Sequence, residues 1–271
     1  MSYQLVQLRN GTFSLRSVEH DEIMHPAIGP VAEAEVLYVQ QLRIGERVEK
    51  HNGPFVIWDV GLGAAANAIA VLRAIAPLKP SLTLLSFDST IEPLRFALQH
   101  VEKLSYLKPY FTHLESLMTH GEVTFDRVNW QLHLGNFPDL ITTVRPAPDA
   151  ILFDPFSPAK NPEMWTAPLF ERMFQRLDRP CALANFSRST IFRVSLLLAG
   201  FYVGRGKPIA LKEETTIAAN TPSLITNPLD SRWLDRAQRS HSAEPLWTAV
   251  YRKAPLTAAT LARLREHPQF S

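Results

Sequence analysis

The chain has 271 residues, 46% of them apolar and 20% charged, so it can bury a sizeable core and is neither a disordered nor a fibrous polypeptide. Its 28 Lys and Arg against 26 Asp and Glu leave a formal charge of +2, too slight a surplus to imply nucleic acid by itself. One cysteine, Cys181, excludes an internal disulfide; no apolar run reaches the roughly 20 residues of a membrane span and the start lacks a basic-then-apolar leader, so a cytoplasmic protein is expected.

Residues 1–54 show no strong period. A short hairpin strand is expected around Thr12 to Arg16, and a helix over residues 30–42, where Val31, Ala34, Leu37, Tyr38 and Leu42 recur near helical spacing. After the Gly53-Pro54 break, short apolar strands alternate with helical stretches, the pattern of a parallel sheet with crossover helices. Strands are expected at residues 55–60, 82–87 (ending in Asp88), 128–134 (ending in Gly135-Asn136), 150–153, 181–186, 201–203 and 213–219. Helices are expected from Gly63 to Ala76, then over residues 92–101, 168–177 and 187–199, with an irregular section from about 102 to 121. This predicts a Rossmann-like α/β fold with a mostly parallel seven-stranded sheet and helices on both faces. Residues 1–54 form an N-terminal extension over a cofactor site, 55–220 the core, and 221–271 a mainly helical tail.

Four of the expected strands end in polar groups: Asp59, Asp88, Asn136 and Asp154. In open α/β sheets that edge is where ligands bind. Asp59-Val60-Gly61-Leu62-Gly63-Ala64 is a strand-to-helix turn whose Gly61 and Gly63 allow the backbone close to a ligand. It fits a dinucleotide fingerprint formally, but Asp59 would repel a pyrophosphate, and Asp88 lies 27 residues beyond Gly61 where about 20 are usual. The same turn, with an acid near its start, also suits S-adenosylmethionine. Asp88 would then accept from ribose hydroxyls and Asn136 would read an adenine edge. The fourth strand runs into a loop stiffened by Pro155, Pro158 and Pro162, which can hold a reacting group rigidly. The nine histidines and Cys181 show no metal-ligand spacing, and no metal is expected. From Arg172 onward basic residues crowd the sequence, and Arg232, Arg236, Arg239, Arg252, Lys253, Arg263 and Arg265 close it; they would serve phosphate only if they share a face.

That loop, Asp154-Pro155-Phe156-Ser157-Pro158-Ala159-Lys160-Asn161-Pro162-Glu163-Met164-Trp165, resembles the Asp-Gly-Phe-Ala-Pro-Ala-Lys-Asn-Pro-Asp-Met-Trp motif in the methyltransferase part of the MnmC family. Gly29-Pro30-Val31-Ala32-Glu33-Ala34, Ser86-Phe87-Asp88 and Leu134-Gly135-Asn136 are similar to further segments of that family, and His25 sits where it often has Tyr-His-Ser. The likeness covers about residues 12–220. It implies an S-adenosylmethionine-dependent N-methyltransferase acting on the amine of 5-aminomethyl-(2-thio)uridine at the tRNA wobble position. By that analogy Asp154 and Phe156 act at the methyl acceptor. Glu33, Asp59, Gly61, Gly63, Asp88, Asn136 and Asp154 hold the cofactor, and Lys160 and Asn161 meet the substrate. Asp154-Pro155-Phe156 also resembles the Asp-Pro-Pro-Tyr loop of amino-group DNA methyltransferases. Trp165 reads as core. The family's flavin-dependent oxidoreductase domain has no counterpart here, so FAD is not expected. Pro155, Asn136 and Ala65 depart from the usual glycine, aspartate and third glycine. The alternatives are the same chemistry on a small-molecule or protein amine, or a non-catalytic binder of the cofactor.

Overall fold

The structure, a computed structural model, describes residues 3–209 and 213–270. Three N-terminal strands, β1 (Tyr3–Gln7), β2 (Phe13–Ser17) and β3 (Glu22–Ile23), form a small antiparallel sheet. Helix α1 (Pro30–Ala34) opens with proline at its first turn, where no amide hydrogen is needed, and continues into a π-helical segment, Glu35–Gln40. Helix α2 (Ile44–Glu49) leads to the main sheet.

That sheet comprises β4 (Phe55–Val60), β5 (Leu82–Asp88), β6 (Glu122–Phe125), β7 (Val128–Leu134), β8 (Ala150–Phe153), β9 (Ala182–Asn185), β10 (Tyr202–Gly206) and β11 (Thr215–Ala219). Their order is β10-β11-β9-β8-β4-β5-β7-β6, with β7, β5, β4, β8 and β9 mutually parallel and the pairings β10-β11, β11-β9 and β7-β6 antiparallel. The central strands are apolar on both faces because helices cover both: β4 and β8 are buried at every position. Eight strands replace the expected seven. The addition, β6, is a four-residue edge strand with one neighbour and alternating half-burial, too short and polar to stand out in a sequence.

Helices α3 (Ala66–Ile75), α4 (Glu92–Gln99), α5 (Phe111–His120), α6 (Phe137–Leu140), α7 (Ala167–Gln175) and α8 (Thr190–Leu198) link the strands. One, α5, lies in the stretch expected to be irregular. The tail holds two eight-residue helices, α9 (Ser231–Gln238) and α10 (Ala258–Arg265), rather than being mainly helical. Pro245 and Pro255 interrupt the chain between them. Strand alternation sorts the core into two layers. Phe55 and Ile57 of β4 pack with α3, while Val56, Trp58 and Val60 pack with α7 and α8. No described helix is long and apolar enough to cross a membrane.

Candidate active site

At the carboxyl ends of β4, β5, β7 and β8 a cleft of about 630 Å³ opens, a volume suited to a nucleoside-sized ligand. Gly61, Gly63, Asp88, Asn136, Asp154, Phe156 and Asn161 line it from the main sheet side, and His20, Glu22, His25 and Glu33 from the N-terminal segment.

The glycine turn forms the floor. Gly61 has φ +95°, and a Cβ there would stand 2.6 Å from the Asp154 carbonyl oxygen, so only glycine lets the end of β4 pass the end of β8. The Gly63 amide (φ +52°) donates to Asp88 Oδ2 at 2.9 Å, and the Thr90 amide donates to Oδ1 at 3.2 Å. Burial pushes the Asp88 carboxyl up, partly offset by these two amides.

Asp154 follows β8, and its amide donates to the Val60 carbonyl at 2.8 Å. Its Oδ2 accepts from Asn67 Nδ2 at 2.8 Å and lies 3.2 Å from His25 Nε2; the same imidazole nitrogen is 3.1 Å from Asn67 Oδ1. The Tyr38 hydroxyl, carried on the π-helical segment, reaches the neighbouring Phe153 carbonyl at 3.4 Å. Burial would raise Asp154, but hydrogen bonding and charge from His25, then Asn67 and Tyr38, hold it below the ordinary carboxylate value. Burial would likewise lower His25, yet the hydrogen bond and charge of Asp154, with Glu33 behind them, raise it. Each partner thus favours the other's charged form.

Glu33 braces this arrangement: its Oε1 accepts from the amides of Ala27 at 2.6 Å and Ile28 at 3.0 Å, fixing the turn in which His25 adopts φ +51°. Phe156 stacks on His20 with centroids 4.1 Å apart and planes 8° apart. The Phe156 carbonyl accepts from the Trp165 indole at 2.8 Å, and Trp165 is buried core, as its setting in the sequence suggests. Glu22 takes the Ser157 amide at 3.1 Å on one carboxylate oxygen and the Ser157 hydroxyl on the other, tying the loop to β3.

Two expected site residues lie elsewhere. Asp59 does not line the cleft: the pleat sends it to the same side of β4 as Phe55 and Ile57, beneath the glycine turn. There its Oδ2 accepts from Ser86 Oγ at 2.8 Å, Oδ1 is buried without a partner, and burial pushes its carboxyl up to about 7. Lys160 is exposed and outside the cleft lining, while its neighbour Asn161 is within it. Asn136 stands at the N-terminal boundary of α6, and its side-chain amide donates to Asp139 Oδ2 at 3.2 Å. Three residues central to the geometry escaped the sequence reading: Asn67, Tyr38 and Glu22. For Asn67 there was a signal, since it is the lone polar side chain in the first two turns of the otherwise apolar α3.

A family described as S-adenosyl-L-methionine-dependent methyltransferase matches residues 102–221, the stretch containing Asn136 and Asp154 to Trp165. The bifunctional protein MnmC of Aeromonas hydrophila, named for tRNA 5-methylaminomethyl-2-thiouridine biosynthesis, is 32% identical over 203 residues, 68% of this chain and 30% of that protein. Its counterpart in Vibrio vulnificus is 28% identical over 227 residues, 73% of this chain and 32% of that protein. The chain therefore spans about a third of the length of these relatives. The crystal structure of MNMC2 from Aquifex aeolicus shares the fold, with a TM-score of 0.74 at 22% identity over 98% of this chain and 84% of that one.

Proposed function

We propose that this chain, an S-adenosyl-L-methionine-dependent methyltransferase with an MnmC-like domain, methylates the exposed primary amine of 5-aminomethyl-(2-thio)uridine at the wobble position of tRNA. The observation that carries this reading is the Asp154 carboxylate, held charged by His25 and Asn67 at the end of β8 with the Phe156 ring beside it. A fixed anionic hydrogen-bond acceptor suits an amine, whose N–H groups donate to it and whose nitrogen gains positive charge on methylation.

The cleft fits the cofactor. It offers a left-handed glycine turn against which a ligand's backbone-sized part can lie, the Asp88 carboxylate at the end of β5 for ribose hydroxyls, and the exposed Asn136 amide at the end of β7 for an adenine edge. Glu33 lines the same wall. When bound, the cofactor supplies an electrophilic methyl group on sulfur. Asp154 accepts a hydrogen bond from the neutral amine and aims its lone pair along the attack line, so positioning supplies most of the acceleration. The positive charge that builds on nitrogen is met by the carboxylate and by the face of Phe156. Because His25 and Asn67 hold Asp154 low, it stabilises charge rather than acting as a strong base, and the surplus proton leaves through water. Phe156, stacked between His20 and the cleft, borders the base of a uridine that must be unstacked to enter. Asn161 lies on that side of the cleft.

Incubating the protein and cofactor with tRNA bearing 5-aminomethyl-2-thiouridine tests this, with nucleoside mass spectrometry as the readout. The expected result is conversion to the methylaminomethyl nucleoside. Unchanged nucleoside alongside methylation of a free or peptidyl amine would move the substrate to the other class, and turnover on no amine would leave a cofactor-binding protein only.

A further inference from the structure

The residues beyond the matched family region concentrate the chain's charge. From 222 to 271 there are seven Lys and Arg against four Asp and Glu, +3, whereas the whole chain carries +2. Between α9 and α10 lies a loop closed at its neck by the amides of Ala243 and Glu244, which donate to the Ala254 carbonyl at 2.8 and 3.0 Å. Everything from Trp247 to Lys253 is exposed: Trp-Thr-Ala-Val-Tyr-Arg-Lys. Trp247 is 38% exposed, Val250 64% and Tyr251 37%. Large apolar side chains seldom stand together on a free surface, and here two cations, Arg252 and Lys253, directly follow them.

The loop is built to stay in this shape. Glu244 is only 5% exposed, and its Oε1 accepts from the Trp247 indole at 3.0 Å and the Thr260 hydroxyl at 2.8 Å, while Oε2 accepts the Thr257 amide at 2.9 Å. One buried carboxylate thus pins the loop's first aromatic and the start of α10 together. The Arg263 guanidinium lies over the Trp247 ring at 6.0 Å. Among the described residues, Arg252, Lys253 and Arg263 enter no ion pair, so their charge is not neutralised within the chain. The base of the loop also abuts the cleft wall. Leu246 bridges to Thr166 and accepts the Ala167 amide at 2.8 Å, just past Glu163 and Met164, which line the cleft.

We propose that the loop from Trp247 to Lys253, with Arg263, is an RNA-docking element at the rim of the cleft: Trp247 and Tyr251 stack on unpaired bases, and Arg252, Lys253 and Arg263 contact the phosphates beside them. Aromatic rings set beside unpaired cations are the combination that holds single-stranded nucleic acid. This rests on the tRNA reading above and adds where the RNA is gripped.

Fluorescence anisotropy of the full chain with labelled tRNA and with an anticodon stem-loop, over a series of salt concentrations, tests it. The variants are Trp247→Ala with Tyr251→Ala, and Arg252→Ala with Lys253→Ala. The aromatic pair is expected to weaken binding about tenfold or more with little change in salt slope. The basic pair is expected to weaken it and to lower the slope of log affinity against log salt by about 1 to 2. Cofactor affinity by calorimetry and the melting temperature of the basic pair should stay at the wild-type values. Wild-type affinity for RNA in both variants would overturn this proposal alone. Absence of RNA binding by the unaltered chain would overturn the tRNA reading with it.

Discussion

Two aspartates stand at the ends of neighbouring parallel strands, and they have opposite fates. Asp59 is the penultimate residue of β4, and Asp154 follows β8, which pairs with β4 residue for residue through Val60↔Phe153. A sequence reading treats them alike, as acids at one sheet edge. The pleat buries Asp59 beneath the glycine turn with one hydroxyl partner and one orphaned oxygen, so burial dominates and pushes its carboxyl up to about 7. One residue past its strand, Asp154 turns to the cleft and meets an imidazole and an amide from two other segments, so pairing dominates. The residue type sets what is possible; the partners brought by distant chain decide which form exists. The sharpest way to break the contrast is Asp154→Asn, which keeps the shape and removes the charge. Methyl transfer is expected to fall roughly 10²- to 10³-fold with cofactor affinity changed far less. A loss under about tenfold in single-turnover measurements would strip Asp154 of its role at the acceptor.

The second test exploits the opposite sign at Asp59. Its folded carboxyl is raised to about 7 from 3.8, so between those values the native state keeps a proton that the unfolded chain has released. Native stability therefore falls as pH rises through that window, by up to about 4 kcal/mol for a shift of roughly three units. Asp59→Asn removes the titration and preserves an acceptor for Ser86. Its advantage over the wild type in urea unfolding should be near nil at pH 4 and about 2–4 kcal/mol at pH 8. The Asp154 end runs the other way: its carboxyl is lowered, so what it contributes is present above 3.8 and is lost as pH falls through the folded value. A variant advantage at Asp59 that is equal at both pH values would show that the two aspartates do not differ as described.

The same comparison explains what was legible. The parallel core showed in the sequence because buried strands are short apolar runs, as in Ala150-Ile151-Leu152-Phe153. The motif loop was legible because its prolines and its likeness to a known family stand out. Asp88 and Asn136 fell where strand ends predict. Asp59 did not, because whether an acid sits at an odd or even position of a strand buried on both faces leaves no periodic trace. His25 was noted only by analogy, Tyr38 only as part of a helical apolar face and Glu22 not at all, since the contacts of Glu22 with Ser157 and of Tyr38 with Phe153 span 135 and 115 residues of chain. The N-terminal segment has weak patterning of its own, and what it supplies to the site is visible only once folded.

Between the two aspartates lies Ala65, in place of the usual third glycine, and it adopts φ +61°, ψ +18° at the start of α3. Three terms bear on Ala65→Gly. Removing the methyl relieves about 1–2 kcal/mol of left-handed strain. The freer unfolded chain takes back about 0.5–1 kcal/mol, and losing a fully buried methyl costs about 0.8 kcal/mol. The sum lies within about 1 kcal/mol of zero, so melting should move by only a few degrees. Cofactor affinity should also hold within about threefold, because Ala64, not Ala65, lines the cleft and the Ala65 side chain faces the core. A tenfold gain in calorimetric affinity would instead place that methyl against the cofactor and make the missing glycine a real impediment at the β4 end.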